Sequence, residues 1–484
     1  MNILFILYGD FTTNTAGPIA LFASELKRLG HQCVIAVPSG IETVNTHAMP
    51  AFRPMLYEQV IDLEGKIFEN GACADVIHAC TLRIGVINFL KTFLSRWPTP
   101  LVVYLEDNET WIAQHYLGLD DQAFKRLSEA EMSALLPDAL SNPYEYPYAL
   151  ALADLVILIQ EKLNSEAPLF VPKKVIPWGV DQNFFSPEVV PSVKWRQKLL
   201  LDGKERIIVY HGGLNGFTRQ SMIELCQAVE IINASGIDCK LIRTGVNLIN
   251  FWDELSLNAR QYILEIGVVD RKELPSILAL ADIYVQPGRI NPFEDLRLPS
   301  KVPEFLAMGR PVILPNVNIA NLFDDGKNAI LLSNGEPKEI ANACLAILGD
   351  KELCNLLSKG AREFAQNNFE ITAQAKKLEI AYQEAIEMFN ANETACSWEI
   401  YNSRGAIAAA LSRANFVLSS FDRRSQEVAR QLLIWCGKLN ERMQYDGLCV
   451  DMPKESKAPK NAEAIKYFFK DLCSKLTYLV TKNQ

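Results

Sequence analysis

Arg297, Ser300, Lys301 and Glu304 stand close together in the stretch NPFEDLRLPSKVPEFLAMGRPVILP, residues 291–315. At the start of a helix, where unpaired N–H groups attract anions, these side chains converge on one crevice suited to an anionic ligand. A second group, Glu106, Asp107, Asn108 and Glu109, follows directly on the apolar run 101–105. Clustered like charges are costly unless a cationic or hydroxylated group binds there, so this is either a hydroxyl-binding edge or a solvated acidic turn. A third group is the loop HGGLNG, residues 211–216, in which Gly212 and Gly213 let backbone N–H groups approach a phosphate.

The elements that must position these groups are legible around them. A buried strand over 283–286 ends at Pro287-Gly288. Pro299-Ser300 offers a helix start, Val302, Phe305 and Leu306 share one helical face, and Glu304 falls in the first turn. Gly309 ends that helix, and the next strand begins at 311–314. The helix therefore starts at the carboxyl edge of a parallel sheet, where such sheets bind ligands. Likewise, a strand over 206–210 leads through the glycine loop into a helix over 221–232. The chain opens as a βαβ unit: strand 2–7, a helix carrying Ile19, Phe22 and Leu26, and strand 32–37. Gly17, in the first loop, either turns the chain or meets a donor phosphate or acceptor. His78 ends a short strand over 75–79 and reads equally as a structural histidine or a ligand contact.

The stretch 291–315 resembles the donor-binding segment of GT-B glycosyltransferases of the group 1, family 4-like type. That segment reads roughly E-x-F-G-x-x-x-x-E-x-M-A-x-G-x-P-V-V. Here Glu304, Phe305, Leu306, Ala307, Gly309, Pro311 and Val312 match, in an RLPSK variant of the motif. The first Glu of the pattern falls at Leu296, so its contact with the donor sugar is missing or has moved to Glu294 or Asp295. ELKRLGHQCVIAV resembles the opening of the same enzymes, and KVIPWGVD, residues 174–181, continued to Phe185-Ser186-Pro187, resembles their interdomain linker with Trp178 in place of Asn. The segments 266–269 and 273–275 resemble the part that lines the base pocket. Family members usually place an Arg and a Lys in the glycine loop; this chain has neither until Arg219, so the resemblance assigns the diphosphate to Arg219 and Lys301.

The resemblance implies an α/β fold: two Rossmann-like domains facing across a cleft, over 1–185 on the acceptor side and 186–372 on the donor side. A helix over 373–396 crosses back, and a helical C-terminal extension covers 397–484, with helices over 397–443 and 462–479. It implies transfer of a sugar from a nucleotide-diphosphate donor to an acceptor hydroxyl, with retention and by front-face attack. Glu304 would hold the ribose and Glu106, then Asp107, the acceptor hydroxyl. With no D-x-D pair in the sequence, leaving-group charge falls to Arg219, Lys301 and helix N-termini rather than to a metal, and no cofactor beyond the nucleotide-sugar co-substrate is expected. Two other readings stand beside this one: an epimerase of the same fold acting on a UDP-sugar, and a catalytically silent nucleotide-sugar-binding scaffold.

Composition narrows the rest. A chain of 484 residues, 49% hydrophobic and 22% charged, accommodates two domains and an appendage. The net charge of −9 argues against a nucleic-acid partner. Eleven cysteines without a C-x-x-C pair indicate neither a disulfide framework nor a zinc ribbon, which points to a reducing cytoplasm. The N-terminal apolar run is too short to span a bilayer. Saccharide, lipid-linked and protein acceptors all stay open, as does contact of the C-terminal helices with a protein or a membrane surface.

Overall fold

Short apolar runs bounded by turn residues become strands buried on both faces, and in the computed structural model they build two parallel sheets. Residues 1–46, 51–168 and 171–391 are described. The expected extension over 397–484 and the end of the crossing segment 373–396 lie outside them.

The first sheet contains β1 (Asn2–Ile6), β2 (Gln32–Val37), β3 (Arg53–Leu56), β4 (Val76–Cys80), β5 (Leu101–Leu105), β6 (Leu155–Leu158) and β7 (Lys173–Val175). Their order is β3-β2-β1-β4-β5-β6-β7. The second contains β8 (Arg206–His211), β9 (Cys239–Thr244), β10 (Ile263–Gly267), β11 (Ile283–Val285), β12 (Val312–Pro315) and β13 (Ile330–Leu332), ordered β10-β9-β8-β11-β12-β13. In each sheet the order reverses at one point, between β1 and β4 and between β8 and β11. A crevice opens at the carboxyl ends of strands where the order reverses. The chain places Tyr8 and Arg83 after the first pair, and His211 and the donor segment after the second. The expected pair of Rossmann-like domains is thus present.

Two stretches of chain cross between the domains and bond to each other, Val180 N donating to Phe369 O at 2.7 Å. Helix Ile371–Ala391 then lies against β4, β5 and β6. Its Tyr382 hydroxyl meets His78 Nδ1 at 2.8 Å. His78 is fully buried, its ring packed near Phe5, Tyr104 and Tyr382, and burial pushes its pKa down to about 3. Of its two readings the structural one prevails: a neutral histidine joins the returning helix to the sheet.

Residues 109–152 depart from the expected pattern. The sequence over 124–135 looks helical, and two helices form there, Asp121–Arg126 and Glu129–Leu135. Ser128 divides them: its hydroxyl accepts from Glu131 N at 3.3 Å while Glu131 Oε2 accepts from Ser128 N at 2.8 Å. This reciprocal cap satisfies donors a continuous helix would not leave free. Phe124, Met132, Leu136 and Ala113 form a small separate core beneath these helices. The Pro- and Tyr-rich run 137–148 reads as irregular and 151–159 as a strand region in the sequence, yet helix Tyr146–Leu152 intervenes before β6.

Candidate active site

On the second domain, β8 carries Tyr210 and His211 to the sheet edge, and the chain turns at Gly212 with φ +125°. Only glycine adopts that conformation without strain. A Cβ here would also lie 2.8 Å from Lys301 Cε and 3.0 Å from Nζ, so the lysine rests directly on the glycine. Lys301 begins helix Lys301–Ala307, and its ammonium donates to Tyr210 Oη at 3.1 Å, 4.6 Å from the ring centroid. No ion pair to Lys301 forms among the described residues. Glu304, one turn on, is 7% exposed. Arg271 donates to its Oε1, while His211 Nε2 lies 2.7 Å from Oε2 without hydrogen-bond alignment. Burial by itself raises the Glu304 carboxyl, but Arg271 and His211 outweigh it and hold the group near 2. A buried carboxylate that stays ionised can accept from hydroxyls.

The first-domain wall is built where β1, β4 and β5 end. Glu106 is 4% exposed; Thr15 donates to its Oε2 at 2.5 Å, while Oε1 has no partner among the described residues. Burial pushes this carboxyl up to about 8, Thr15 opposing. Burial, with Glu109 adding to it, lifts Asp107 to about 6 against the pull of Arg297 and Arg83. Glu109 receives the Arg83 fork at 3.1 and 3.2 Å and the Ser141 hydroxyl at 2.7 Å. The Arg83 guanidinium in turn lies 3.7 Å from the Tyr8 ring centroid. Glu106 and Glu109 are therefore buried and wired into the fold, while Asp107 and Asn108 between them are half-buried.

The two walls face each other. Asp107 feels both Arg297 and Glu294, which belong to the second domain. Trp111, on helix Glu109–Tyr116, stacks on Phe293 at 5.0 Å and on His115 at 4.8 Å, with Phe217 beside all three rings. Beyond the stack, Lys162 Nζ meets Asp295 Oδ1 at 2.5 Å.

The expected site residues do not all converge. Gly212, Lys301 and Glu304 do, and Gly213 lies next to them, exposed beneath Val246. Arg297 instead donates through Nε to Glu294 Oε2 at 3.0 Å and packs over Phe293. Arg219 begins helix Arg219–Ala234 and pairs with Glu254, so its charge is already met at the surface. Ser300 precedes the donor helix as expected but makes no side-chain cap hydrogen bond; its backbone is already helical, which turns the hydroxyl away from the capping position. Gly17 is not a loop residue: it lies in the first turn of helix Ala16–Arg28 with open space where a Cβ would stand. Arg271, His211, Tyr210, Thr15 and Arg83 escaped the sequence reading. His211 and Tyr210 had a signal, since they end the strand before the glycine loop; Arg271 had one too, standing between the segments 266–269 and 273–275 that resemble the base-pocket lining.

Known proteins place this geometry. Residues 205–350 match the family model described as Glycosyl transferases group 1. The chain is 24% identical over 215 residues to the UDP-Gal:alpha-D-GlcNAc-diphosphoundecaprenol alpha-1,3-galactosyltransferase of Escherichia coli, over 43% of this chain and 53% of that protein. It is 25% identical over 162 residues to the alpha-D-kanosaminyltransferase of Streptomyces kanamyceticus, over 33% of this chain and 41% of that one. The chain thus spans about half the length of the curated relatives it matches. Among solved structures, Anabaena Alr3699/HepE in complex with UDP and glucose superposes with a TM-score of 0.58 at 16% identity, covering 79% of this chain and 99% of the other. Sucrose-phosphate synthase (tll1590) from Thermosynechococcus elongatus does so with 0.58 at 16%, covering 81% and 100%. At such identities the likeness is one of fold. Residues 205–350 thus match the group 1 glycosyl transferase model within a chain whose two-domain fold is GT-B.

Proposed function

We propose that this chain transfers a sugar from a nucleoside-diphosphate donor to an acceptor hydroxyl, with retention of configuration and without a metal. One observation carries the reading. Lys301, resting on Gly212 and lacking a carboxylate partner among the described residues, stands one helical turn from a carboxylate, Glu304, that is ionised, with Arg271 on one oxygen and His211 Nε2 2.7 Å from the other. A cation and a diol acceptor at that spacing suit a diphosphate and a ribose. The solved relative with UDP and glucose bound makes UDP the first nucleotide to test.

In this mechanism Lys301 and the backbone N–H groups of the glycine loop take up the charge that grows on the leaving diphosphate. Arg219 joins them only by leaving Glu254. Glu106, protonated at neutral pH, hydrogen-bonds the acceptor hydroxyl instead of removing its proton. That proton passes to the departing phosphate oxygen as the new glycosidic bond forms on the same face. Closure of the two walls excludes water, so the donor meets the acceptor before it is hydrolysed. Saccharides and lipid-linked saccharides are the acceptors to try, the latter because the Escherichia coli relative's name specifies a diphosphoundecaprenol acceptor.

The test is a thermal-shift screen with UDP, GDP and ADP and their sugar conjugates on the wild type, Lys301→Ala and Glu304→Ala. A nucleotide at a hundred times its Kd stabilises the fold by about 2.7 kcal/mol. The expected result is a shift with one nucleotide that both substitutions abolish. A wild type indifferent to every nucleotide would sink the reading.

A further inference from the structure

The segment that links the two domains is fastened to both ends of the donor helix. At its start, Arg271 binds Glu304 and lies with its guanidinium 4.9 Å from the ring centroid of Phe185 in the linker. At its end, Arg362, from helix Lys351–Asn368, bridges three pieces of backbone. Its Nη1 donates to Ala307 O at 2.7 Å and to Phe185 O at 3.2 Å, and its Nη2 donates to Gln182 O at 3.3 Å. Ala307 is the last residue of the donor helix, whose terminal carbonyls have no partner within the helix. Gly309 seals the same junction: with φ +62° it lets the chain leave the helix, and a Cβ there would come 2.7 Å from Pro187 Cγ of the linker.

No side chain but arginine is suited to this place. A planar fork with five N–H groups reaches carbonyls that point at it from different directions, whereas a lysine offers one point of charge. The contacts are also uneven in purpose. Gln182 and Phe185 lie in the linker between the domains, while Ala307 belongs to the element bearing Lys301 and Glu304. Gln182 is held a second time, its Nε2 donating to Ala365 O at 2.8 Å on the helix that carries Arg362.

We propose that Arg362 is a positioning residue that locks the donor helix to the interdomain linker, so that a nucleotide held at Lys301 and Glu304 also fixes the linker. The proposal rests on the donor-site reading above. Bending on closure is then confined to the residues on the first-domain side of Gln182, where Val180 bonds to Phe369.

Hydrogen exchange on the full chain, with and without saturating UDP, tests this in the wild type, Arg362→Met and Arg362→Lys. In the wild type, UDP should slow exchange both in 301–309 and in the linker 180–186. In Arg362→Met it should still slow the first segment, while the slowing in the linker falls about tenfold or more. Arg362→Lys, which keeps the charge and part of the contact, should fall between them and serves if the methionine variant does not fold. A merely structural arginine would raise exchange throughout the domain and leave the UDP effect on the linker in proportion. Linker slowing that persists in both variants while the donor helix is protected overturns the proposal alone. Absence of any UDP effect in the wild-type donor helix overturns the donor reading for UDP, and the proposal with it.

Discussion

Lys162 and Asp295 meet across the cleft, ammonium to carboxylate at 2.5 Å, and Gln160 Nε2 donates to the Asp295 carbonyl at 2.8 Å. Asp295 is one of two acids to which a donor-sugar contact could have moved when Leu296 took the place of the motif's first Glu. The other, Glu294, is buried and holds Arg297. Asp295 is thus occupied in joining the domains. Both side chains of its pair are 39% exposed, so the contact contributes only about 0–1 kcal/mol to the fold. Asp295→Asn should leave the urea-unfolding free energy within about 1 kcal/mol of the wild type. It should nonetheless enlarge the radius of gyration of the nucleotide-bound protein in solution scattering, most clearly at low salt. An unchanged radius would mean that the pair does not hold the closed form.

The aromatic stack makes a second tie. Trp111 lies between His115 and Phe293, so the ring nearest the acidic wall is also in contact with the donor loop. Aromatic pairs of this kind contribute about 0.5–1.5 kcal/mol beyond the area they bury. Trp111→Ala should therefore favour the open form by roughly that amount per lost ring contact and raise the KM for donor several-fold, with a smaller change in Tm. Steady-state donor hydrolysis measures it; a KM unchanged from the wild type counts against closure through this stack.

Gly212→Ala probes the bed beneath Lys301. Alanine at φ +125° is strained by about 1–3 kcal/mol, and its methyl group would press on the lysine stem. Nucleotide affinity by calorimetry should fall about tenfold or more, since 1.4 kcal/mol corresponds to a factor of ten. Unaltered affinity would show that Lys301 does not bind the nucleotide from this position.

Glu106 gives a pH signature. Its carboxyl is raised by burial to about 8 in the folded chain, from an ordinary 4.5. Between those two values the folded state holds a proton that the unfolded state has lost, so this group's contribution to stability declines as pH rises from 4.5 to about 8. Glu106→Gln, neutral at every pH, should remove that decline, and its Tm should exceed the wild type's most at pH 8 and above. Transferase activity should fall in the wild type as pH passes about 8, when the hydroxyl-binding proton leaves, and the variant should lack that limb. Activity that instead rises toward pH 8 would make Glu106 a base.

Much of the fold and one end of the site were legible in the sequence because they depend on neighbours along the chain. Apolar runs ending at Pro287-Gly288, at Gly212 and at Glu106 mark strand termini, and the alternation of strands with helical runs implies parallel sheets whose carboxyl edges carry the polar residues. Gly212, Lys301, Glu304 and Glu106 follow from that logic together with Gly213, Arg297, Ser300 and Asp107, and the residues matching a known donor motif narrowed the chemistry. Ser128 was a local signal too, and a missed one: its capping box with Glu131 is written in four consecutive residues.

What tertiary structure decided was the fate of each charge. Arg219, Arg297 and Lys301 look alike in sequence as candidates for a phosphate, but Arg219 meets Glu254 and Arg297 meets Glu294, whereas Lys301 finds only Tyr210 among the described residues. Asp295 reaches Lys162 and Arg271 reaches Glu304 across 133 and 33 residues of chain. Periodicity and turn chemistry are set by adjacent residues, so they survive in the sequence. Ion pairing and desolvation depend on distances between segments that folding brings together, so they exist only in the packed molecule.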